Sequence, residues 1–210
     1  MVQWQAHTLE QIVPPCQQHI THTHAVTLPC YYLAPVSYYM ALYRNGGASV
    51  EVYDTYAKQT LRNRCLIDSP QGTLALTIPV QKPGDSRLVR DIRISDHGNW
   101  RHQHWQALAS SYRQSPFFEY YADDLAPFYE KRREFLADFN MELLHLMCSL
   151  LDMDVSLERT SSFAGKTDGT WNAQPVRPYY QVFAHKHGFL HDLSIVDLLF
   201  NMGPESVLSL

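Results

Sequence analysis

The chain has 210 residues, a formal net charge of −4 and a hydrophobic fraction of 45%. This length fits one domain that buries its own core, and the hydrophobic fraction excludes a disordered chain. The negative balance excludes nucleic-acid binding through a general basic face, because such binding needs an excess of Lys and Arg.

The cysteines and the start of the chain predict a cytoplasmic protein. Cys16, Cys30, Cys65 and Cys148 form no C-x-x-C pair and no disulfide framework, so reduced thiols are the simplest account. Residues 1–10 are polar and lack the apolar region of a secretory signal. No apolar run reaches the roughly 20 residues of a membrane span, so we expect none.

A loose lead-in, residues 1–24, is predicted to precede one domain at 25–210. Short β-prone segments between turn signals predict strands. They are residues 25–32, 49–53, 65–67, 73–80, 89–94, 155–161 and 179–183. A helix predicted at 36–44 ends at Asn45-Gly46-Gly47, and this strand–helix–strand order is typical of a parallel sheet. Ser69-Pro70-Gln71-Gly72 predicts a hairpin turn.

The second half of the chain predicts mainly helices. One spans 99–114 and is broken by Ser115-Pro116. Apolar residues then recur at helical spacing from 125 to 150. In that segment Asp124 is a candidate cap, Pro127 fits a first turn, and Asn140 marks a bend or a boundary. A short helix at 195–200 has Ser194 as its cap. We therefore predict a single α/β domain with a largely parallel or mixed sheet, flanking helices and a long helical segment after residue 124.

The densest group of polar side chains is Gln59, Arg62, Asn63 and Arg64, just before a predicted strand. Guanidinium groups hold phosphate or carboxylate through paired, charge-assisted hydrogen bonds, so this group predicts a site for a phosphorylated ligand. Two alternatives stay open. In the first, the group is a solvated loop with surface ion pairs. In the second, it is an architectural element whose two arginines are buried and paired inside the protein.

Tyrosines flank the turn after the first predicted strand. In open α/β sheets, ligands bind beyond the carboxyl ends of the strands, so Tyr32, Tyr38 and Tyr39 are candidates to line a sugar or base subsite. The alternative is that they pack between sheet and helix. No glycine-rich dinucleotide or Walker phosphate loop is present, which disfavours those cofactor sites, and no cofactor is predicted.

Two carboxylates are candidate catalytic groups. Asp54 follows the second predicted strand, where a carboxylate can take part in catalysis or simply cap a loop. Asp197 shares a polar stripe with Ser194 and Asn201 on an otherwise apolar helix. The simplest expectation is that this stripe lies on the exposed face of the helix. The run of His19, His22 and His24 lacks the companion ligands of a zinc module, so no metal site is predicted.

Several short motifs, taken together in their order, resemble the WbqC-like protein family over residues 26–204. They are LAPVSYY at 33–39, QTLRNRC at 59–65, LTIPV at 76–80, RDIRI at 90–94, WRHQHW at 100–105, SPFF at 115–118 and SIVDLLFN at 194–201. The resemblance implies an association with surface-polysaccharide gene clusters, such as those for O-antigen. It carries over no catalytic residues.

The leading hypothesis is an enzyme that acts on an activated sugar by small acyl, aminoacyl or nucleotidyl transfer. Arg62, Arg64 and Lys82 would hold the phosphate of a nucleotide-sugar or another phosphorylated donor, and Asp54 or Asp197 would be the general base. The rival hypothesis is a non-catalytic binding or scaffold protein of the same pathway. It would use an exposed aromatic patch, Phe117, Phe118, Tyr120 and Tyr121.

Overall fold

Five short strands lie in the part of the chain that the structure describes, residues 26–167 and 175–210 of a computed structural model. In chain order they are β1 (Thr27–Pro29), β2 (Gly47–Glu51), β3 (Arg64–Ile67), β4 (Leu74–Thr77) and β5 (Ser156–Arg159). β1, β2 and β5 form a parallel sheet in that order, and β3 pairs with β4 in an antiparallel hairpin. The predicted parallel unit and the predicted hairpin are confirmed.

The same residues contain six α-helices. They are α1 (Val36–Arg44), α2 (Trp100–Tyr112), α3 (Phe118–Glu130), α4 (Leu136–Leu150), α5 (Ala184–His187) and α6 (Ile195–Met202). Two 3-10 turns lie at Val89–Asp91 and Gly203–Ser209. Side chains from both sheets and from every described α-helix except α5 share one hydrophobic core, so the predicted α/β fold is confirmed.

Helix α1 packs against the parallel sheet, and the side chains between them are buried. Leu28 of β1 stands opposite Val50 of β2, and both are fully buried. Val36 and Leu42 of α1 are fully buried as well. Burying one such side chain stabilises the fold by roughly 2 kcal/mol, so a few of them hold strands of only three to five residues in place.

The strand predicted at 89–94 is wrong. The N–H groups of Val89 and Arg90 donate to the carbonyls of Asp54 and Val52, at 2.9 Å each, and the chain then closes a 3-10 turn. Beyond the turn only isolated bridge pairs form, at residues 93 and 94. The alternation of polar and apolar residues at 89–94 is the same as in a regular strand, so this pattern alone did not predict the 3-10 turn.

The helical segment after residue 124 is divided between two helices, as one of the predicted alternatives had it, but the boundary lies at residues 131–135 and not at Asn140. Residues 131–135 are irregular, because this stretch pairs with residues 92–94. The N–H of Ile94 donates to the carbonyl of Glu134 at 2.8 Å, and the N–H of Leu136 donates to the carbonyl of Ile92 at 2.9 Å.

The predicted signals inside this segment have other roles. Asn140 marks no boundary, because it lies within α4. Asp124 and Pro127 lie inside α3, which begins at Phe118, so neither starts a helix.

Near the C-terminus, residues 179–183 form no strand, and the short helix α5 follows them. Ser194 precedes α6 as predicted. Its hydroxyl does not cap that helix, however, and donates instead to the carbonyl of Leu33 at 2.8 Å. α6 is thereby fixed to the segment that follows β1.

Residues 1–25 and 168–174 lie outside the described residues, and with them the predicted lead-in and His19, His22 and His24. Within 26–167 and 175–210, no helix combines the length and the apolar character that crossing a bilayer requires.

Candidate functional site

Arg62 is enclosed in the interior and bound to a carboxylate. It is 1% exposed, and its Nη2 donates to Oδ2 of Asp54 in an ion pair. Its backbone carbonyl accepts a hydrogen bond of 2.8 Å from the side chain of Asn140. Asn63 is also buried, and its side-chain amide donates to the carbonyl of Ile78 at 2.8 Å. These bonds favour the architectural alternative for Arg62 and Asn63.

Arg64 and Gln59 are not joined to this ion pair. Arg64 begins β3, is partly exposed, and donates from Nε to the hydroxyl of Thr77 on β4 at 3.1 Å. Gln59 is exposed in the preceding turn. Four surface cavities lie among residues 26–167 and 175–210 at other positions, and Gln59, Arg62 and Arg64 line none of these four. The predicted group therefore does not form one binding surface.

The three predicted subsite tyrosines are buried. Tyr38 and Tyr39 are 1% exposed, and Tyr32 is fully buried. The hydroxyl of Tyr32 lies 2.9 Å from the hydroxyl of Tyr129 and 3.1 Å from Nδ1 of His104. These contacts support the alternative in which the tyrosines pack the interior.

His104 completes this buried chain of polar groups. Burial lowers its pKa to about 4, against a smaller opposing effect of a hydrogen bond with the backbone of Thr77. Its ring also contacts the ring of Trp100 edge-on, with centroids 5.1 Å apart. His104 is therefore a neutral core histidine at pH 7.

Asp197 is fully buried, contrary to the default of an exposed face. Its carboxylate accepts hydrogen bonds from the hydroxyl of Tyr112 at 2.8 Å, the hydroxyl of Tyr179 at 2.6 Å and the amide of Gln181 at 2.9 Å. We call these four residues the Asp197 network. Burial raises the pKa of Asp197 to about 6, although the three donors lower it.

A second buried carboxylate, Asp68, lies beside this network. Its N–H donates to the hydroxyl of Tyr112 at 3.0 Å, and its Oδ1 lies 3.1 Å from Nε2 of His187. The same ring nitrogen lies 3.3 Å from the carbonyl of Ser69. Burial raises the pKa of Asp68, and the neighbouring imidazole of His187 opposes this rise.

An open polar region lies at the carboxyl edge of the parallel sheet. A cavity of about 380 Å³ is bordered by Val52 and Tyr53, which follow β2, and by Thr160, which follows β5. Two guanidinium groups face it. Arg90 donates to the hydroxyl of Tyr53 at 2.6 Å and lies 4.9 Å above its ring, and Arg159 donates to Asp138 at 2.7 Å.

A second cavity of about 300 Å³ shares Asp91 and Phe135 with the first. It is lined by Lys82 and by Arg93, whose guanidinium lies 4.8 Å above the ring of Phe135 and pairs with Glu134. Lys82 has no ion-pair partner in the described ranges. We call the two cavities together the basic groove, defined by Lys82, Arg90, Arg93 and Arg159.

Buried Glu51 holds the wall of this groove, and it was not among the residues predicted for a site. It ends β2 and is 1% exposed. Its carboxylate accepts hydrogen bonds from the N–H of Tyr53 at 2.6 Å, the hydroxyl of Thr160 at 3.1 Å and the N–H of Ala164 at 2.7 Å. A Glu at the end of an apolar strand is the only local signal for this role.

The aromatic patch of the scaffold hypothesis is mostly internal. Phe118 and Tyr121 are buried, Phe117 is partly buried, and Tyr120 is 74% exposed. One exposed ring does not make an anchoring patch. In residues 26–167 and 175–210, no cluster of three or more His, Cys, Asp or Glu side chains has the arrangement of a metal site.

The family model described as the WbqC-like protein family matches residues 31–177. The chain belongs to this family. The uncharacterized protein Rv1507c of Mycobacterium tuberculosis is 30% identical over 199 residues, covering 74% of this chain and 84% of the relative. No solved structure matches. In this WbqC-like protein the matched segment contains the whole basic groove, whereas Tyr179, Gln181 and Asp197 lie beyond it.

Proposed function

We propose that this WbqC-like protein is a cytoplasmic transferase of surface-polysaccharide biosynthesis, of the O-antigen type, that acts on a nucleotide-sugar or another phosphorylated donor. One observation carries the proposal. Arg90 and Arg159 face a single cavity of about 380 Å³ at the carboxyl edge of the parallel sheet. Family membership supports the polysaccharide-associated role.

The position and chemistry of the groove support a phosphorylated ligand. Ligands of open α/β sheets bind outside the carboxyl ends of the strands, and guanidinium groups hold phosphate through forked, charge-assisted hydrogen bonds. Arg90 is held against Tyr53 before any ligand arrives, so less conformational entropy is lost on binding. Lys82 in the adjoining cavity forms no ion pair with any described residue and is available to a second phosphate.

The proposed roles differ from those predicted for the arginine-rich motif. Arg62 is occupied by Asp54, next along the chain to Tyr53, so we assign this ion pair to supporting the groove wall. A general base must reach the bound substrate. Asp138 lines the groove and Asp197 does not, so Asp138 becomes the proposed proton acceptor for acyl, aminoacyl or nucleotidyl transfer.

The proposal is tested by thermal denaturation with a panel of nucleotide-sugars and their parent nucleotides. A ligand present at about a hundredfold excess over its Kd stabilises the native state by about 2.7 kcal/mol, which raises the melting temperature by several degrees. We expect at least one panel member to do so. We expect Arg159→Ala and Arg90→Ala to abolish the shift while keeping the melting temperature of the free protein.

Arg113→Ala is the matched control, because Arg113 is exposed at the end of α2 and lines neither cavity of the basic groove. This control should keep the full shift. A shift that survives both groove variants, or a panel in which no member stabilises the protein, would remove the support for a donor site here.

A further inference from the structure

We propose that a third cavity, between the first turn of α2 and the second half of α3, binds one uncharged sugar residue. This α2–α3 cavity has a volume of about 410 Å³. That volume is in the range of small-molecule sites and suits a single saccharide unit. Three residues of its lining, Arg101, His102 and Trp105, belong to the WRHQHW motif, and none of the lining residues was predicted as a site residue.

The charges around the α2–α3 cavity balance, which disfavours an ionic ligand. Arg101 and Arg132 both pair with Asp96, at 2.8 Å and 3.3 Å. Glu130 provides the second carboxylate of the lining. Two cations thus face two anions, and a phosphate or carboxylate ligand would meet repulsion from Asp96 and Glu130 along with attraction from the arginines. The basic groove differs, because its two cavities together are lined by four cations and, among the described residues, by only two carboxylates, Asp91 and Asp138.

Three exposed polar side chains of the lining have neither a hydrogen bond nor an ion pair in the described ranges. They are Asn99, His102 and Glu130. Asn99 precedes α2 without capping it, so its amide offers two donors and an acceptor to a ligand. The carboxylate of Glu130 offers only acceptors. Adjacent hydroxyls of a sugar, which both donate and accept, match such a mixture.

An aromatic wall completes the cavity. The rings of Trp105 and Tyr129 lie 5.8 Å apart at an angle of 32°. Tyr129 directs its hydroxyl inward to Tyr32, so it offers its ring rather than its oxygen to the cavity. The C–H face of a pyranose packs against such rings, while its hydroxyls point outward to the polar groups. An apolar ligand would leave those polar groups unpaired, which costs binding free energy.

The cavity neighbours the basic groove. Arg93 and Phe135 form an antiparallel bridge pair and line the groove. Asp96, three residues after Arg93, and Arg132, three residues before Phe135, line the α2–α3 cavity. Three extended residues span roughly 10 Å. We therefore assign the α2–α3 cavity to the acceptor sugar. The sugar site is inferred from the residues that line the cavity, and only its role as the acceptor site depends on the proposed function.

The test is a titration of ¹⁵N-labelled protein with methyl glycosides of glucose, galactose, mannose, rhamnose and N-acetylglucosamine, without nucleotide or phosphate. The indole N–H signal of Trp105, assigned with Trp105→Phe, reports occupancy. We expect one probe to give a saturable shift at millimolar concentration, the range of weak single-residue binding. Asn99→Ala and Glu130→Ala should each weaken binding about tenfold or more.

The controls are Gln103→Ala on α2 and Asp123→Ala on α3, which remove exposed polar groups outside the cavity. They should bind the probe as the unmodified protein does. The proposal is overturned if no probe saturates, if binding survives both cavity variants, or if inorganic phosphate shifts the Trp105 signal more than every sugar does. Because the titration contains no phosphorylated donor, a failure here leaves the result for the basic groove unaffected.

Discussion

The hydroxyl of Tyr179 donates a hydrogen bond of 2.6 Å to Oδ2 of Asp197 and so fastens the segment before α5 to α6. Gln181 strengthens the same attachment, because its amide donates both to Asp197 and to the carbonyl of Leu190 at 2.9 Å. The carboxylate thus joins parts of the chain that no regular secondary structure connects. A fully buried carboxylate is tolerated here because several donors surround it.

Tyr179→Phe removes one of those donors and keeps the ring. A hydrogen bond to a charged group contributes about 1.5 to 3 kcal/mol, so we expect the free energy of unfolding at pH 7 to fall by about 2 kcal/mol. Urea denaturation measures this loss. Tyr180→Phe is the matched control, since Tyr180 is 55% exposed and its variant should unfold like the original protein. Equal stabilities for the two variants would contradict the role given to Tyr179.

Asp197→Asn should change how stability depends on pH. The pKa of Asp197 is about 6 in the native state and 3.8 when unperturbed, so the native state binds more protons between these values. The contribution of Asp197 to the free energy of unfolding is therefore fully present below about pH 4 and is lost as pH rises to about 6. The expected loss is about 3 kcal/mol. Urea denaturation of both proteins from pH 4 to 7 gives the free energy of unfolding at each pH, and the original protein should lose more of it than the variant as pH rises. Equal losses in the two proteins would contradict this role of Asp197.

His104→Gln tests a contribution of the opposite sign. The pKa of His104 falls from 6.5 to about 4 on folding, so the unfolded state binds more protons in this range. Stability from neutral His104 is present above pH 6.5 and decreases as pH falls towards 4, by about 3 kcal/mol. The variant should lack this acid-induced loss. An NMR titration of the ring checks the cause directly, and protonation near pH 6.5 in the native protein would contradict it.

Local signals were sufficient for α1 and the β3–β4 hairpin but not for the break between α3 and α4. α1 begins and ends at the predicted residues, because Pro35 and Asn45-Gly46 mark its limits in the sequence itself. The break at 131–135 contains neither Gly nor Pro. It follows from the pairing of that stretch with residues 92–94, a tertiary interaction that overrides helical spacing.

The candidate sites were harder to predict than the elements, for the same reason. Arg90 and Arg159 are far apart in the sequence and face one cavity only because β5 pairs with β2. The sequence singled out Asp197 as a carboxylate among apolar residues, but its partner Tyr179 comes from an irregular segment without periodicity. Such contacts between distant segments leave no pattern in the sequence, and they arise only when the folded chain brings these side chains together.

The ion pair of Arg62 and Asp54 gives the sharpest test of the arginine-rich motif. Removing one partner of a buried ion pair leaves the other charge without compensation, which typically costs about 3 to 5 kcal/mol. Asp54 keeps 15% of its side chain exposed, so we expect the lower end of this range for Arg62→Ala in urea denaturation. Arg64→Ala should change stability by no more than about 0.5 kcal/mol, because Arg64 is partly exposed on the hairpin. If Arg62→Ala instead folds with unchanged stability and no longer binds a nucleotide-sugar that stabilises the original protein, Arg62 contacts the ligand, and the phosphate site belongs at this motif rather than at the basic groove.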